Sequence, residues 1–340
     1  MALQINDTSY SGKYADIMIK QAVYSMQSIE KGLLYVKSGI KKMFTIPRVD
    51  MTNPLSPRQT TPTDDGSNPI VIDGRTLIPL DIEAYREINP RDFETNQMSE
   101  QLSETILARE VPPGIQSQLM QLLLNKSGEQ FENMVWNGSV DYKTGVDKAD
   151  PRYQLQFFDG LLKLMVNDPL VNLSSIGAAA ITAVPSDTTY ILKVLDDLIT
   201  QAATKKKALV SNKGHHNRMK FILSVATEQL YLTALSTATT YKGISLDSPL
   251  TPRWKGYEVE GVAGMADNTI VFCQANADDP QIANLWVGMN SLDDNELKVA
   301  RVAPLSEEFG MLAKWKWCVN YGWGNQIFLF TTLSAASFRP

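Results

Sequence analysis

Residues 112–138 read PPGIQSQLMQLLLNKSGEQFENMVWNG, and the arrangement of the chain hangs on them. Pro112, Pro113 and Gly114 punctuate the backbone. Ile115, Leu119, Leu122 and Leu123 then recur at i, i+4, i+7 and i+8, and Phe131, Met134 and Val135 continue the run. Asn137 and Gly138 supply a C-terminal stop. The spacing predicts one helix over 113–136, about 36 Å long at 1.5 Å per residue. Gly128 weakens it by roughly 1 kcal/mol against alanine. A helix of that length is a spine to which the segments on either side attach.

Upstream, residues 39–50 have strand character (Ile40, Phe44, Ile46, Val49), as do residues 70–82 (Ile70, Ile72, Leu77, Leu80). Between them Met51–Asn68 is rich in Pro, Thr, Ser and Asp. Pro54, Pro57, Pro62 and Pro69 remove ladder donors, so this is a long loop at the end of a hairpin. Structureless loops of this length inside a domain usually serve interaction. Two strands alone are marginal in water, so something else must cover the apolar hairpin. Its candidate contacts with a neighbouring copy are Lys41, Lys42, Phe44, Ile46, Ile70, Ile72 and Leu77. Further upstream, Ile17, Val23, Tyr24, Met26, Ile29, Leu33 and Val36 predict a helical N-terminal arm from Tyr14 to Val36.

Downstream, a helix is expected around Leu155–Met165, followed by a small-residue stretch, Gly177–Thr182. Ile191, Val194, Leu195, Leu198, Ile199 and Ala202 mark an amphipathic helix, capped by Ser186 or Asp187, with Lys205, Lys206 and Lys207 complementing its dipole. Met219–Leu223 reads as a buried strand, Ser224 as an N-cap and Val225–Leu235 as a helix. Strands are expected at Tyr257–Val262, Thr269–Cys273, Glu296–Val302, Leu312–Val319 and Gln326–Thr331. The class is α+β.

At 340 residues, 44% hydrophobic and 20% charged, the composition argues against disorder and coiled coil. No apolar run reaches the ~18 residues of a membrane span, and the N-terminus has no signal pattern, so an unexported protein without membrane contact is expected. Cys273 and Cys318 sit in apolar runs and read as buried reduced thiols. Charge is uneven. Residues 1–50 carry seven basic side chains against four acidic, a net of +3, whereas residues 51–111 carry five arginines against eleven acids, a net of −6. A basic arm followed by an acidic segment suits docking between copies of one chain.

The patterns of common chemistry are missing. Neither the P-loop nor the dinucleotide fingerprint occurs, nor a Gly-x-Ser-x-Gly elbow. His215 and His216 lie in a polar loop without the ligands that zinc needs. The acids at 64–65, 278–279 and 293–296 match no calcium-loop spacing and read as turns. Trp315, Trp317, Tyr321 and Trp323 read as core packing rather than a stacking platform. No catalytic residue, metal or cofactor is expected.

The order of parts resembles the major capsid proteins of tailed bacteriophages, with the Hong Kong 97-type fold. MKFILSVATEQLYLTALST (219–237) is similar to an axial-domain strand and helix, and RWKGYEVEGVAGMADNTIVFCQAN (253–276) to the strand pair that follows. ELKVARVAPLSEEFGMLAKWKWCVNYGWGNQIFLFTT (296–332) is similar to the closing strands of a peripheral domain. The resemblance implies an N-terminal arm (1–38), an extended hairpin loop (39–88), a peripheral domain with the spine helix (89–185), an axial domain (186–292) and closing strands (293–340). It also implies a non-enzymatic protein, assembled in the host cytoplasm and located in the virion. Many copies would form pentamers and hexamers of an icosahedral head, touching packaged DNA nonspecifically and meeting portal, scaffolding or decoration proteins. Some members cross-link through a Lys–Asn isopeptide bond. Here the loop tip has no lysine and no asparagine follows Phe309 closely, so such a bond is not expected. Scaffolding would be a separate protein or absent. Three other readings stay open: an encapsulin-like compartment shell, a cytosolic hydrolase using clustered carboxylates, and another virion part such as a tail tube or baseplate.

Overall fold

A computed structural model of the chain describes residues 8–10, 26–50, 71–89, 113–176, 190–211, 218–237, 252–290, 296–302 and 308–339. In chain order its strands are β1 (Thr8–Tyr10), β2 (Tyr35–Lys37), β3 (Phe44–Asp50), β4 (Val71–Leu77), β5 (Leu80–Ile88), β6 (Asn172–Leu173), β7 (Met219–Ser224), β8 (Arg253–Trp254), β9 (Tyr257–Val262), β10 (Thr269–Gln274), β11 (Leu285–Asn290), β12 (Glu296–Arg301), β13 (Phe309–Tyr321) and β14 (Phe328–Thr331). The helices are α1 (Gln27–Glu30), α2 (Pro113–Asn137), α3 (Leu161–Asn167), α4 (Tyr190–Lys205), α5 (Lys207–Ser211) and α6 (Val225–Thr237).

The long strand β13 organises one sheet. β12 pairs with its first half, Phe309–Lys314, and β11 with its second, Lys316–Tyr321. β5 pairs with Phe309–Trp317 and therefore occupies the opposite edge of β13, since a strand has only two. β1 extends the sheet beyond β12 and β2 beyond β11. The spine helix α2 packs against this sheet through Phe131, whose ring stacks on Trp317 at 4.8 Å and meets Trp315 edge-on at 5.4 Å. These two tryptophans are core, as their spacing predicts. The buried stripe of α2 is Met120, Leu124, Phe131, Met134 and Val135. Leu122, expected on that stripe, is 57% exposed.

The second sheet runs β6-β14-β10-β7-β9-β8 and is covered on both faces, which explains its near-continuous apolar runs. Alternate side chains split between two cores. Val271 and Cys273 of β10, Ile222 of β7 and Leu329 of β14 join the core around α2. Ile270 and Phe272, Phe221 and Leu223, Phe328 and Phe330 face a separate core shared with α4 and α6. Phe221 and Phe272 stack at 4.3 Å there. Each such ring contributes roughly 1.5–3 kcal/mol by burial. Ser224 caps α6 as its position predicts, its Oγ accepting from the Thr227 N–H at 3.2 Å. β7 and β9 are parallel, joined across α6.

Four expectations change. The hairpin is shorter than 39–88: β3 pairs only with β4, Phe44 opposite Leu77. Pro79 offers no N–H to continue the ladder, and β5 crosses to β13 instead. The helix expected at 155–165 divides into a 3-10 turn, Pro151–Leu155, and α3, because Gly160 is extended (φ −76°, ψ 165°) where it meets Gly138. Leu285–Asn290, assigned to the axial segment, belongs to the β13 sheet, whereas Phe328–Thr331 joins the second sheet. Of the helical arm, residues 14–25 lie outside the described residues. The rest is helical only over Gln27–Glu30, since Gly32 at φ +65° turns the chain toward β2.

Candidate assembly interface

The hairpin leaves the body of the chain from a rigid root. Ile46 and Leu77, 3% and 0% exposed, join Ile40, Ala283, Trp286 and Cys318 in a small core of their own. Asn320 Nδ2 donates to the Thr76 carbonyl at 2.8 Å. The Arg75 guanidinium pairs with the Asp168 carboxylate and lies 4.2 Å from the centre of the Tyr321 ring. The Tyr321 hydroxyl also donates to Asp168, at 2.8 Å. Burial opposes ionisation of Asp168, but the Leu170 N–H, Tyr321 and Arg75 together hold its carboxyl below the ordinary value. The Asp168 carboxylate is thus ionised at neutral pH.

These contacts correct the list of candidate contacts. The side chains of Ile46 and Leu77 are covered by their own chain and are unavailable to a neighbour. Lys41 and Lys42 are exposed and Phe44 is half-buried. Ile70, the side chain of Ile72, the loop tip, both histidines and Asp293–Asp294 lie outside the described residues. Sequence reasoning passed over Met43 and Ile78, which adjoin the first ladder pair, Phe44–Leu77, and are 63% and 55% exposed. Leu80 and Tyr85 of β5 are exposed as well, and the outer edge of β5 has no partner strand among the described residues. An exposed edge with apolar side chains is a template for association.

Two grooves adjoin this surface. One, about 770 Å³, runs between β5 and α2 and is lined by Ile88, Leu119, Leu122, Leu123, Leu155 and Met311 among others. Another, about 620 Å³, sits at the hairpin root between Tyr35, Phe44, Pro47, Pro280, Trp286 and Trp323. Among the described residues, no group of three or more His, Cys, Asp or Glu side chains could hold a metal ion. The thiols of Cys273 and Cys318 are pushed up to about 12 by burial, which leaves them unreactive. No described helix is long and apolar enough to cross a membrane.

The described end of the arm is tied to the spine by Glu132, 5% exposed. It accepts from the Ser28 hydroxyl and, at 3.3 Å, from the Ser28 N–H. Trp136 Nε1 donates to Ser28 Oγ at 2.9 Å. Burial raises the Glu132 carboxyl above its ordinary 4.5, and the Ser28 bonds and the charge of Lys31 only partly offset this. The native state therefore holds this proton more tightly than the unfolded chain does. Its stabilising contribution is whole below pH 4.5 and is lost as pH rises through the raised value. Glu132→Gln removes that loss, so its stability relative to the parent should climb with pH across this window. Denaturant titrations of the unassembled chain from pH 4 to 8 check it, and parallel pH profiles would refute it.

No protein-family model matches the sequence, and no curated protein matches it in sequence. Solved structures do match. The chain is similar to a chain of the satellite phage P4 procapsid that includes the size determination (Sid) protein, with TM-score 0.55 and 9% identity, covering 94% of this chain and 99% of that one. It is similar to the capsid of the empty GTA particle, with TM-score 0.52 and 13% identity over 97% and 94% of the two chains. The capsid of Myoviridae phage XM1 gives 0.51 and 11% over 90% and 92%. The chain has the Hong Kong 97-type capsid fold. The likeness spans nearly the whole of each chain despite scant identity. The surface described here combines a rooted hairpin, a strand edge without a partner among the described residues and two flanking grooves.

Proposed function

We propose that the chain is the major capsid protein of a tailed bacteriophage, self-assembling as pentamers and hexamers into an icosahedral head around double-stranded DNA. The observation that supports this most is the likeness to phage capsid chains over 90% or more of both partners. The physics agrees. Met43, Ile78, Leu80 and Tyr85 remain exposed in a single copy, and symmetry-related neighbours can cover them. Closing a shell multiplies modest contacts, so no single interface need be large. Assembly draws on burial and charge and requires no catalytic step. In this reading residues 1–38 are the arm, the hairpin reaches a neighbour, and the helices α4 and α6 belong to the axial domain. DNA contact at the inner face is electrostatic and nonspecific. Portal, scaffolding or decoration proteins complete the virion, after assembly in the host cytoplasm.

Lys41 and Lys42 of one copy are positioned in this reading to meet the acidic 51–111 segment of the next. Expression followed by sedimentation and electron microscopy tests both claims. The parent chain should give closed megadalton particles holding nuclease-resistant DNA. Lys41→Glu with Lys42→Glu should lower particle yield at least tenfold while moving the unfolding midpoint far less. A parent chain that stays a monomer or dimer contradicts the capsid reading, and particles filled with a cargo enzyme point to a compartment shell. Parental yield from the double variant removes the charge pairing alone.

A further inference from the structure

We infer that the junction where Lys31 meets Glu132, Glu228 and Glu260 is a proton-operated lock, joining the arm segment Met26–Leu34 to the spine helix and the second sheet, fastened by acid and loosened as pH rises. Four parts of the fold bring these side chains together. Lys31 ends α1, Glu132 belongs to α2, Glu228 to α6 and Glu260 to β9. The Lys31 ammonium donates to the Gly261 carbonyl at 2.6 Å and lies 3.5 Å from Glu260 Oε2. The Gly261 N–H donates to the Glu228 carboxylate, which fills the space that any Cβ at Gly261 would need. Neutral bonds close the same joint. Gln27 Oε1 accepts from the Ala263 N–H at 2.8 Å, and Asn137 Nδ2 donates to the Gly264 carbonyl at 2.7 Å. With Ser28 bonded to Glu132, the arm grips the spine on one side and the β9–β10 turn on the other.

Charge at this joint is unbalanced. Among the described residues, three carboxylates share the Lys31 ammonium. The other charged groups on these elements are directed elsewhere: Glu30, Glu129 and Asp267 are exposed, Lys126 pairs with Glu129 at 2.8 Å, and Glu258 is held by Lys220 and Arg253. A proton taken up here relieves both the mutual repulsion and the cost of burying an ion. Burial raises the carboxyls of Glu132 and Glu228 above their ordinary 4.5, Glu260 adds to this at Glu228, and Lys31 opposes it at both. The closed joint therefore holds its protons more tightly than an opened, hydrated one. Closure is fully supported below pH 4.5 and weakens as pH climbs through the raised values. A cavity of about 540 Å³, lined by Met26, Gln27, Glu129, Glu132 and Gly264, gives water a way in. Met26, Ile29 and Leu33 stay in the core, so the lock governs local opening rather than detaching the arm.

Hydrogen–deuterium exchange of the unassembled chain, read by mass spectrometry and corrected for the intrinsic rate at each pH, tests this. Protection of residues 26–34 and 261–266 should fall at least tenfold from pH 5 to pH 8, while that of β7 moves less than twofold. Glu132→Gln with Glu228→Gln should level both profiles. Lys31→Gln strands the carboxylates without their ammonium and should deepen the fall at least threefold. A level parental profile, a double variant that follows the parent, or an equal fall in β7 overturns the inference, as does a Lys31→Gln profile superimposed on the parent's. All of these outcomes are read within one unassembled chain, so failure here leaves the capsid reading untouched.

Discussion

Gly160→Ala should destabilise the unassembled chain by about 3 kcal/mol, lowering its thermal midpoint by roughly 4 °C at an unfolding entropy of about 2.1 cal/mol/K per residue. A Cβ at Gly160 would lie 2.6 Å from the Gly138 nitrogen, 2.7 Å from the Trp136 carbonyl oxygen and 2.8 Å from that of Met134. All three are backbone atoms, so no side chain can swing away. The crossing is already bonded, the Gly160 N–H donating to the Gly138 carbonyl at 2.8 Å, and the Gly138 N–H closes the spine helix onto Met134 at 2.9 Å. Relief therefore requires moving the end of α2, which carries the fully buried Trp136. Overpacking costs of 1–3 kcal/mol assume that neighbours share the strain, and here the shift falls on one rigid helix. Gly322→Ala is the control. Its nearest non-neighbouring atom lies 3.5 Å away, so it should be near neutral. Equal midpoints for the two variants, by calorimetry or denaturant titration, would sink the argument.

The same crossing shows where sequence reasoning stops. Pro112-Pro113-Gly114 and Asn137-Gly138 bracket the spine helix with local signals, and the helix runs Pro113–Asn137. Ser224 before an apolar helix was legible for the same reason, as were the unbroken runs of β7 and β10. That Gly160 stands extended before α3 and admits Gly138 was not, since the reason lies 22 residues away in sequence. The strand Leu285–Asn290 was passed over because a six-residue apolar run is ambiguous without its partner, and its partner is the far half of β13. There Gly288 leaves room for the Cys318 sulfur, which would sit 2.7 Å from any Cβ.

The contact surface was half legible for a related reason. Strand alternation shows that Phe44, Ile46 and Leu77 want cover, but not whether the cover comes from the same chain. Trp286 and Cys318 supply it for Ile46 and Leu77, leaving Met43 and Ile78, one step beyond the Phe44–Leu77 pair, as the exposed ones. The Arg75–Asp168 clamp joins residues 93 apart and carries no local signature at all.

That clamp makes the largest functional prediction a clean one. Replacing residues 51–70 with Asn-Gly closes the hairpin after the Asp50–Val71 pair, the last of the β3–β4 ladder, with the dipeptide that a two-residue type I′ turn prefers. The root should survive intact, because Ile46, Leu77, Arg75 and Thr76 all keep their partners on the body of the chain. Stability of the unassembled subunit should stay within about 1 kcal/mol of the parent, since shortening a loop changes closure entropy only slowly. Particle yield, read by sedimentation velocity and microscopy, should fall at least a hundredfold. The disparity follows from symmetry: a contact of modest energy is made once by every subunit, so its loss recurs throughout a closed shell while costing a lone subunit nothing. Shells at parental yield would show that the segment is dispensable for assembly. An unfolded product would place its partners within the same chain, and either result would exclude the hairpin tip as the element that reaches a neighbour.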